Sequence, residues 1–159
     1  MIYVGYPCIG KSSIAGREDF IDLDSSLFND GTEGWEERYV NVAIDLSNQG
    51  YNVFLSSHKQ VRDTLKEKEI SYTCVFPEMC LFDAWFDRCA ERFKEHPTDK
   101  NLKALAHVAR HYKEDIADLL DEPAKSKIII KIEYYYSNKD FDLRHLLKIP
   151  ARTPQDLWG

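Results

Sequence analysis

Eight residues near the start of the chain could do phosphate chemistry. Gly5-Tyr6-Pro7-Cys8-Ile9-Gly10-Lys11-Ser12 matches the pattern G-x-x-x-x-G-K-[ST] in full, and Ser13 follows it. Gly5 and Gly10 permit backbone angles that a Cβ would forbid, so successive N–H groups can turn around an anion. A helix beginning at Lys11 would add its positive N-terminal end. In such a loop Lys11 reaches the β- and γ-phosphates of a nucleotide, and the Ser12 hydroxyl ligates Mg²⁺.

A second group of candidates is acidic. Phe20-Ile21-Asp22-Leu23-Asp24 alternates apolar and acidic residues before Ser25-Ser26. It reads as a strand over 19–22, with Asp22 and Asp24 at or just past its C-terminal end, where parallel α/β sheets hold ligands. Two carboxylates there can serve a cation or accept hydrogen bonds from a substrate hydroxyl. A third group is basic: Arg88 and Arg92 share one flank of a helix, and Lys103, His107, Arg110 and His111 share one face of the next. A cationic face of this kind is ordinarily solvated, and it also lies where a phosphate-gripping lid would fall.

The elements that must position these residues follow from the hydrophobic pattern. Ile2 to Val4 is a buried strand, and only Ser12 to Arg17 remains for the first helix. Asn29-Asp30-Gly31-Thr32 is a turn. A helix over 33–48 carries Trp35, Tyr39, Val42, Ala43 and Leu46 on one stripe, with Gly50 as its C′ residue. Tyr51 to Leu55 is the third strand. Ser57 is the expected N-cap of a helix over 58–68, and 70–76 is the fourth strand, closed by Pro77. A helix over 78–95 is broken at His96-Pro97-Thr98-Asp99, and a second spans 99–121 with Leu102, Leu105, Ala109, Tyr112, Ile116 and Leu119 inward. Lys127 to Tyr136 is the last strand, a short helix covers 141–147, and the tail after Pro150 is irregular. Strands alternating with helices call for a parallel sheet with helices on both faces.

At 159 residues, with 43% hydrophobic and 30% charged residues, the sequence reads as one soluble domain, 1–159. No apolar run approaches 18 residues, and the first stretch is too short for a signal peptide. The expected location is cytoplasmic. Cys8, Cys74, Cys80 and Cys89 form no C-x-x-C pair and read as buried reduced thiols. The net charge of −6 argues against a broad nucleic-acid footprint.

The chain resembles the compact P-loop kinases of the nucleoside and nucleotide kinase superfamily, which includes adenylate, shikimate and gluconate kinases. It looks most like the small nucleotide kinases of bacterial viruses. The resemblance rests on GYPCIGKSS, FIDLDSS, FLSSHKQVRDTL and FPEMCLFDAWFDRCAERF. It implies a three-layer fold whose five-stranded sheet has the order 2-3-1-4-5, with an acceptor region around 33–48 and a helical lid over about 78–121. It implies ATP and Mg²⁺, with Gly5, Tyr6, Pro7, Cys8, Ile9, Gly10, Lys11, Ser12, Ser13 and Arg110 around the nucleotide and Ser12 and Asp22 around the metal. Lys11, Asp24, Arg88 and Arg92 would carry the chemistry.

The acceptor implied is a (deoxy)nucleoside monophosphate. The alternatives are another hydroxyl acceptor, such as a small metabolite or a modified base in DNA, and a non-catalytic nucleotide-binding module. Two features depart from the family. Strand three ends in Leu55-Ser56-Ser57, without the aspartate of many relatives. Arg62 and Arg38 are the only nearby arginines for an acceptor phosphate.

Overall fold

Ile2–Gly5 forms β1, buried at every position in the computed structural model, which describes residues 1–11, 19–124, 126–137 and 143–147. Side chains alternate faces along a strand, so burial of all four positions means that both faces of the sheet centre are covered. β1 pairs in parallel with β3 (Asn52–Ser56) on one side and with β4 (Thr73–Pro77) on the other. β2 (Phe20–Asp22) lies outside β3, and β5 (Ser126–Ile130) outside β4. The five-stranded order is therefore β2-β3-β1-β4-β5, all parallel, as the resemblance implies. Parallel pairing brings Gly5, Asp22, Ser56 and Pro77 to one edge, so the glycine loop and the two acids share it.

The helices follow the pattern, with shifts. α1 (Trp35–Asn48) buries Trp35, Tyr39, Val40 and Ala43; Val40 is inside where the stripe pointed to Val42. Gly50 ends it at φ +97°. Its N–H donates to Ser47 and that of Tyr51 to Leu46, the paired bonds of a Schellman cap. α2 (Lys59–Glu67) has His58, not Ser57, as its N-cap. The Ser57 carbonyl instead accepts from Arg62 Nε at 3.0 Å. β4 begins three residues later than expected. Glu69 at φ +56° and the Ile70 N–H bonded to Leu65 still belong to the helix end.

A 3-10 turn (Met79–Leu81) leads into α3 (Phe82–Glu95), and Thr98 caps α4 (Asp99–Leu120) by accepting from the Asn101 N–H at 3.2 Å. In the first half of α4 the apolar reading fails. Leu102 and Ala109 are exposed, and Asn101 and Val108 are buried. The last strand also ends early, at Ile130, and Ile132–Ser137 is a helix, α5. β4 stops at Pro77, so residues beyond Ile130 have no ladder partner. Glu78 takes over both ends. Its N–H donates to Ile130, its carboxylate accepts from the Ile132 N–H at 3.0 Å, and Tyr135 packs on Trp85. α6 (Leu143–Leu146) falls within the helix expected over 141–147, whose first two positions lie outside the described residues. The helix expected over 12–17 and the tail after Pro150 lie outside the described residues.

Three cysteines are buried as expected, and Cys80 is exposed. No helix among the described residues is long and apolar enough to cross a membrane.

Arg62 does not sit free for an acceptor phosphate. It is 4% exposed and held by Glu122 and Asp118, each at 2.6 Å. Glu122, equally buried, also takes Lys66 at 3.1 Å and the Tyr72 hydroxyl. Burial alone would raise the Glu122 pKa, but Tyr72, Lys66 and Arg62 hold it below the usual range. Its stabilising effect is therefore complete at neutral pH and disappears as pH falls through that depressed value. Arg62→Ala leaves the buried Glu122 carboxylate with Lys66 as its one remaining cation among the described residues. Urea titration should show a loss of about 3–5 kcal/mol; a loss below about 1 kcal/mol would mean the cluster is solvated. Arg38, the other acceptor candidate, is exposed and bonded to Thr32 Oγ1 at 2.9 Å.

Candidate active site

The glycine loop is built against β4 and α3. The Tyr6 N–H donates to Val75 at 3.0 Å, carrying the β1–β4 ladder one residue past the strand. Ile9 folds back over Gly5: a Cβ on Gly5 would stand 2.5 Å from Ile9 Cδ1, so a side chain there would push the Ile9 side chain aside. Cys8 at φ +68° and Gly10 at φ +100° make the turn. α3 then grips two carbonyls. Trp85 Nε1 donates to Pro7 at 2.8 Å and Arg88 Nε to Cys8 at 2.6 Å. In a trans peptide the N–H points opposite to the C=O. Drawing those carbonyls toward α3 therefore aims the Cys8 and Ile9 N–H groups away from it, as donors for an anion.

Charges converge on Lys11. Burial depresses its pKa first; Asp22 and Asp24 oppose that shift, and Lys100 and Arg92 add to it. A lysine whose proton is destabilised by burial and by two more cations is a place where an added anion lowers the energy. Asp22 ends β2. Asp24, two residues on, accepts from the Ser26 N–H at 2.9 Å, capping the 3-10 turn Ser25–Leu27, and from Lys100 Nζ at 3.0 Å. Burial would raise the Asp24 pKa, but these two donors hold it low.

Polar groups of α4 and β3 close the edge. His107 Nε2 lies 2.7 Å from Asp115, whose carboxylate also accepts from the Tyr6 hydroxyl at 3.3 Å. That carboxylate raises the His107 pKa. His58 is pushed the other way, by burial first and then by His107 and Lys11. Tyr39, on α1, donates to the Leu23 carbonyl at 2.5 Å and accepts from the Ser56 N–H at 3.0 Å. Burial pushes its pKa up to about 12, so it remains a neutral strut between the ends of β2 and β3.

Lys11, Asp22, Asp24, Arg88 and Arg92 thus lie around one loop, with Gly5, Tyr6, Pro7, Cys8, Ile9 and Gly10 forming it. Arg88 holds the loop carbonyl and stacks over Trp85, its guanidinium 5.4 Å from the ring centroid. Arg92 adds its charge to Cys8 and Lys11. Glu91 pairs with Lys94, and Glu114 with His111. Arg110 is exposed on α4 and makes no hydrogen bond to the loop among the described residues. Ser12 and Ser13 lie outside those residues.

No group of three or more metal-ligating side chains occurs among the described residues. Mg²⁺ needs none, because it binds through one or two carboxylates together with phosphate oxygens and waters. Asp22 fits that use. Sequence reasoning missed Lys100, whose one signal was its place in the first turn after the helix break. It also missed the Asp115 partnership of His107, eight residues away on the same helix. Comparison with protein-family models, with curated proteins and with solved structures gave no match.

Proposed function

We propose that the chain is an ATP-dependent phosphotransferase that moves the γ-phosphoryl group to a small acceptor, a (deoxy)nucleoside monophosphate above others. The observation that carries the reading is the gathering of Lys11, Arg92 and Lys100 beside a glycine loop whose N–H groups point away from α3. In this reading the fold is that of the P-loop kinases, with α3 and α4 as the lid.

ATP supplies the transferring group, and a Mg²⁺ ion held on the protein side by Asp22 would neutralise charge on its phosphates. The Cys8 and Ile9 N–H groups orient the phosphate chain. Lys11 and Arg92 face the charge that spreads over the transferring oxygens, and Asp22 holds the metal side. Asp24 is a poor base, since Ser26 and Lys100 favour its ionised form. It acts by orientation, fixing Lys100 and the turn beside the acceptor region. The choice of a nucleotide as acceptor rests on the resemblance, and the negative net charge favours a small acceptor over DNA.

Incubation of ATP with each common monophosphate and deoxymonophosphate tests the reading. One acceptor should raise ADP production well above the acceptor-free background. No rise with any of them, with hydroxyl-bearing small metabolites, or with DNA carrying hydroxymethylated bases would leave nucleotide binding alone. The two acids should separate. Asp22→Asn is expected to raise the Mg²⁺ needed for half-maximal rate about tenfold or more, and Asp24→Asn to raise the acceptor KM with little change in the Mg²⁺ titration. Superimposable Mg²⁺ curves for wild type and Asp22→Asn would remove the metal role.

A further inference from the structure

We propose that Cys8 and Cys89 are a peroxide-oxidisable pair whose disulfide fastens the glycine loop to α3. The two sulfurs lie 2.7 Å apart, and both residues are buried, 5% and 1% exposed. A disulfide bond is about 2.05 Å long, so closure asks for little movement. The residues stand 81 positions apart in sequence, and neighbouring bonds hold them in register: Arg88 grips the Cys8 carbonyl and Trp85 that of Pro7.

The environment divides the labour between the two thiols. Cys89 donates a hydrogen bond to the Cys8 sulfur, and Arg92 and Arg88 face it as well; against the opposing effect of burial, these bring the Cys8 pKa down to about 7. Cys89, beside that sulfur and buried, is pushed up. Cys8 is therefore the thiol that loses its proton more readily. Its sulfur attacks one oxygen of hydrogen peroxide, the O–O bond breaks, and hydroxide leaves, giving a sulfenic acid. Cys89 then attacks the Cys8 sulfur. The S–O bond breaks, the departing hydroxide takes the Cys89 proton as water, and the disulfide remains. The two sulfurs lose two electrons, and the peroxide gains them. Cys74 has no such neighbour, and burial drives its pKa up to about 12. The exposed Cys80 serves as an internal control that oxidant has reached the protein.

The bond has two effects on the loop. It pins the left-handed residue of the turn to α3, and it removes the negative charge that faces Arg92. On the phosphotransferase reading, on which this part alone rests, the loop can no longer adjust around a triphosphate and turnover stops.

Full-length protein is treated with hydrogen peroxide and digested without reduction. Peptide mass mapping is expected to show one linkage, Cys8 to Cys89, with the loss of two hydrogens. Dithiothreitol should reverse it, and the melting temperature should rise by roughly 5–10 °C while it persists. Cys89→Ser should abolish both changes; Cys89→Ala is the second variant if serine is poorly tolerated at that buried site. Oxidised Cys80 with no Cys8–Cys89 linkage in the wild type overturns the proposal, as does a linkage through Cys80. ATP turnover should fall at least tenfold with linkage and return on reduction; unchanged turnover in linked protein overturns the regulatory part. If the reduced protein transfers phosphate to no acceptor, the functional reading fails while the mass result still decides the pair.

Discussion

Lys11→Met is expected to lower kcat by about a hundred- to a thousandfold, the scale for removing one donor aimed at charge that develops in the transition state, and to leave the melting temperature unchanged or slightly raised. Both halves follow from the same electrostatics. The ammonium is held where burial, Lys100 and Arg92 all oppose its charge, so the folded chain loses little by discarding it. Methionine keeps most of the aliphatic stem that lies against Gly5. A bound triphosphate reverses the account, because the same crowded cations then face negative oxygens. Thermal melts and ADP production on one preparation separate the two effects. Wild-type turnover in Lys11→Met would mean that the loop does not hold the transferring phosphate.

The second large effect is expected at Arg92. A supplied arginine contributes about 10³–10⁵ in kcat to phosphoryl transfer. Arg92→Ala should lose a factor of that order with a melting temperature near that of wild type. Arg88→Ala should behave differently. Arg88 holds the Cys8 carbonyl at 2.6 Å and covers Trp85, so its loss costs about 1–3 kcal/mol of stability and loosens the loop as well. Arg110→Ala should change neither quantity, since that side chain is exposed on α4. Near-normal kcat in both Arg88→Ala and Arg92→Ala would shift charge compensation to Lys100.

The parts legible in the sequence are those that local spacing determines. The turn of the glycine loop needs small or left-handed residues at set positions, and Gly10 supplies one of them. Gly50 marks a helix end because only a residue tolerant of positive φ closes a Schellman cap without strain. The strand order was legible only through resemblance. What escaped depends on partners far along the chain. Ile132 to Tyr136 has high strand propensity, but pairing is decided by where β4 stops. Arg62 reads as an exposed helical arginine until Glu122, sixty residues on, is known to lie beside it. Cys8 reads as a filler position in the loop, and only folding brings Cys89 to its sulfur. Leu102 and Ala109 fit a helical stripe, yet the first half of α4 turns Asn101 and Val108 inward, while Tyr112, Ile116 and Leu119 keep to the stripe.

The bond from Lys100 to Asp24 ties the start of α4 to the end of β2 across 76 residues of chain. It acts as a latch. Lys100 is well exposed, so parting the ions costs at most about 1 kcal/mol, and less as salt rises. A fastening that weak opens many times for each chemical event and sets no limit on turnover. On the phosphotransferase reading its use is directional: an arriving phosphate would compete with Asp24 for the lysine, so binding and release of the tie would be one event.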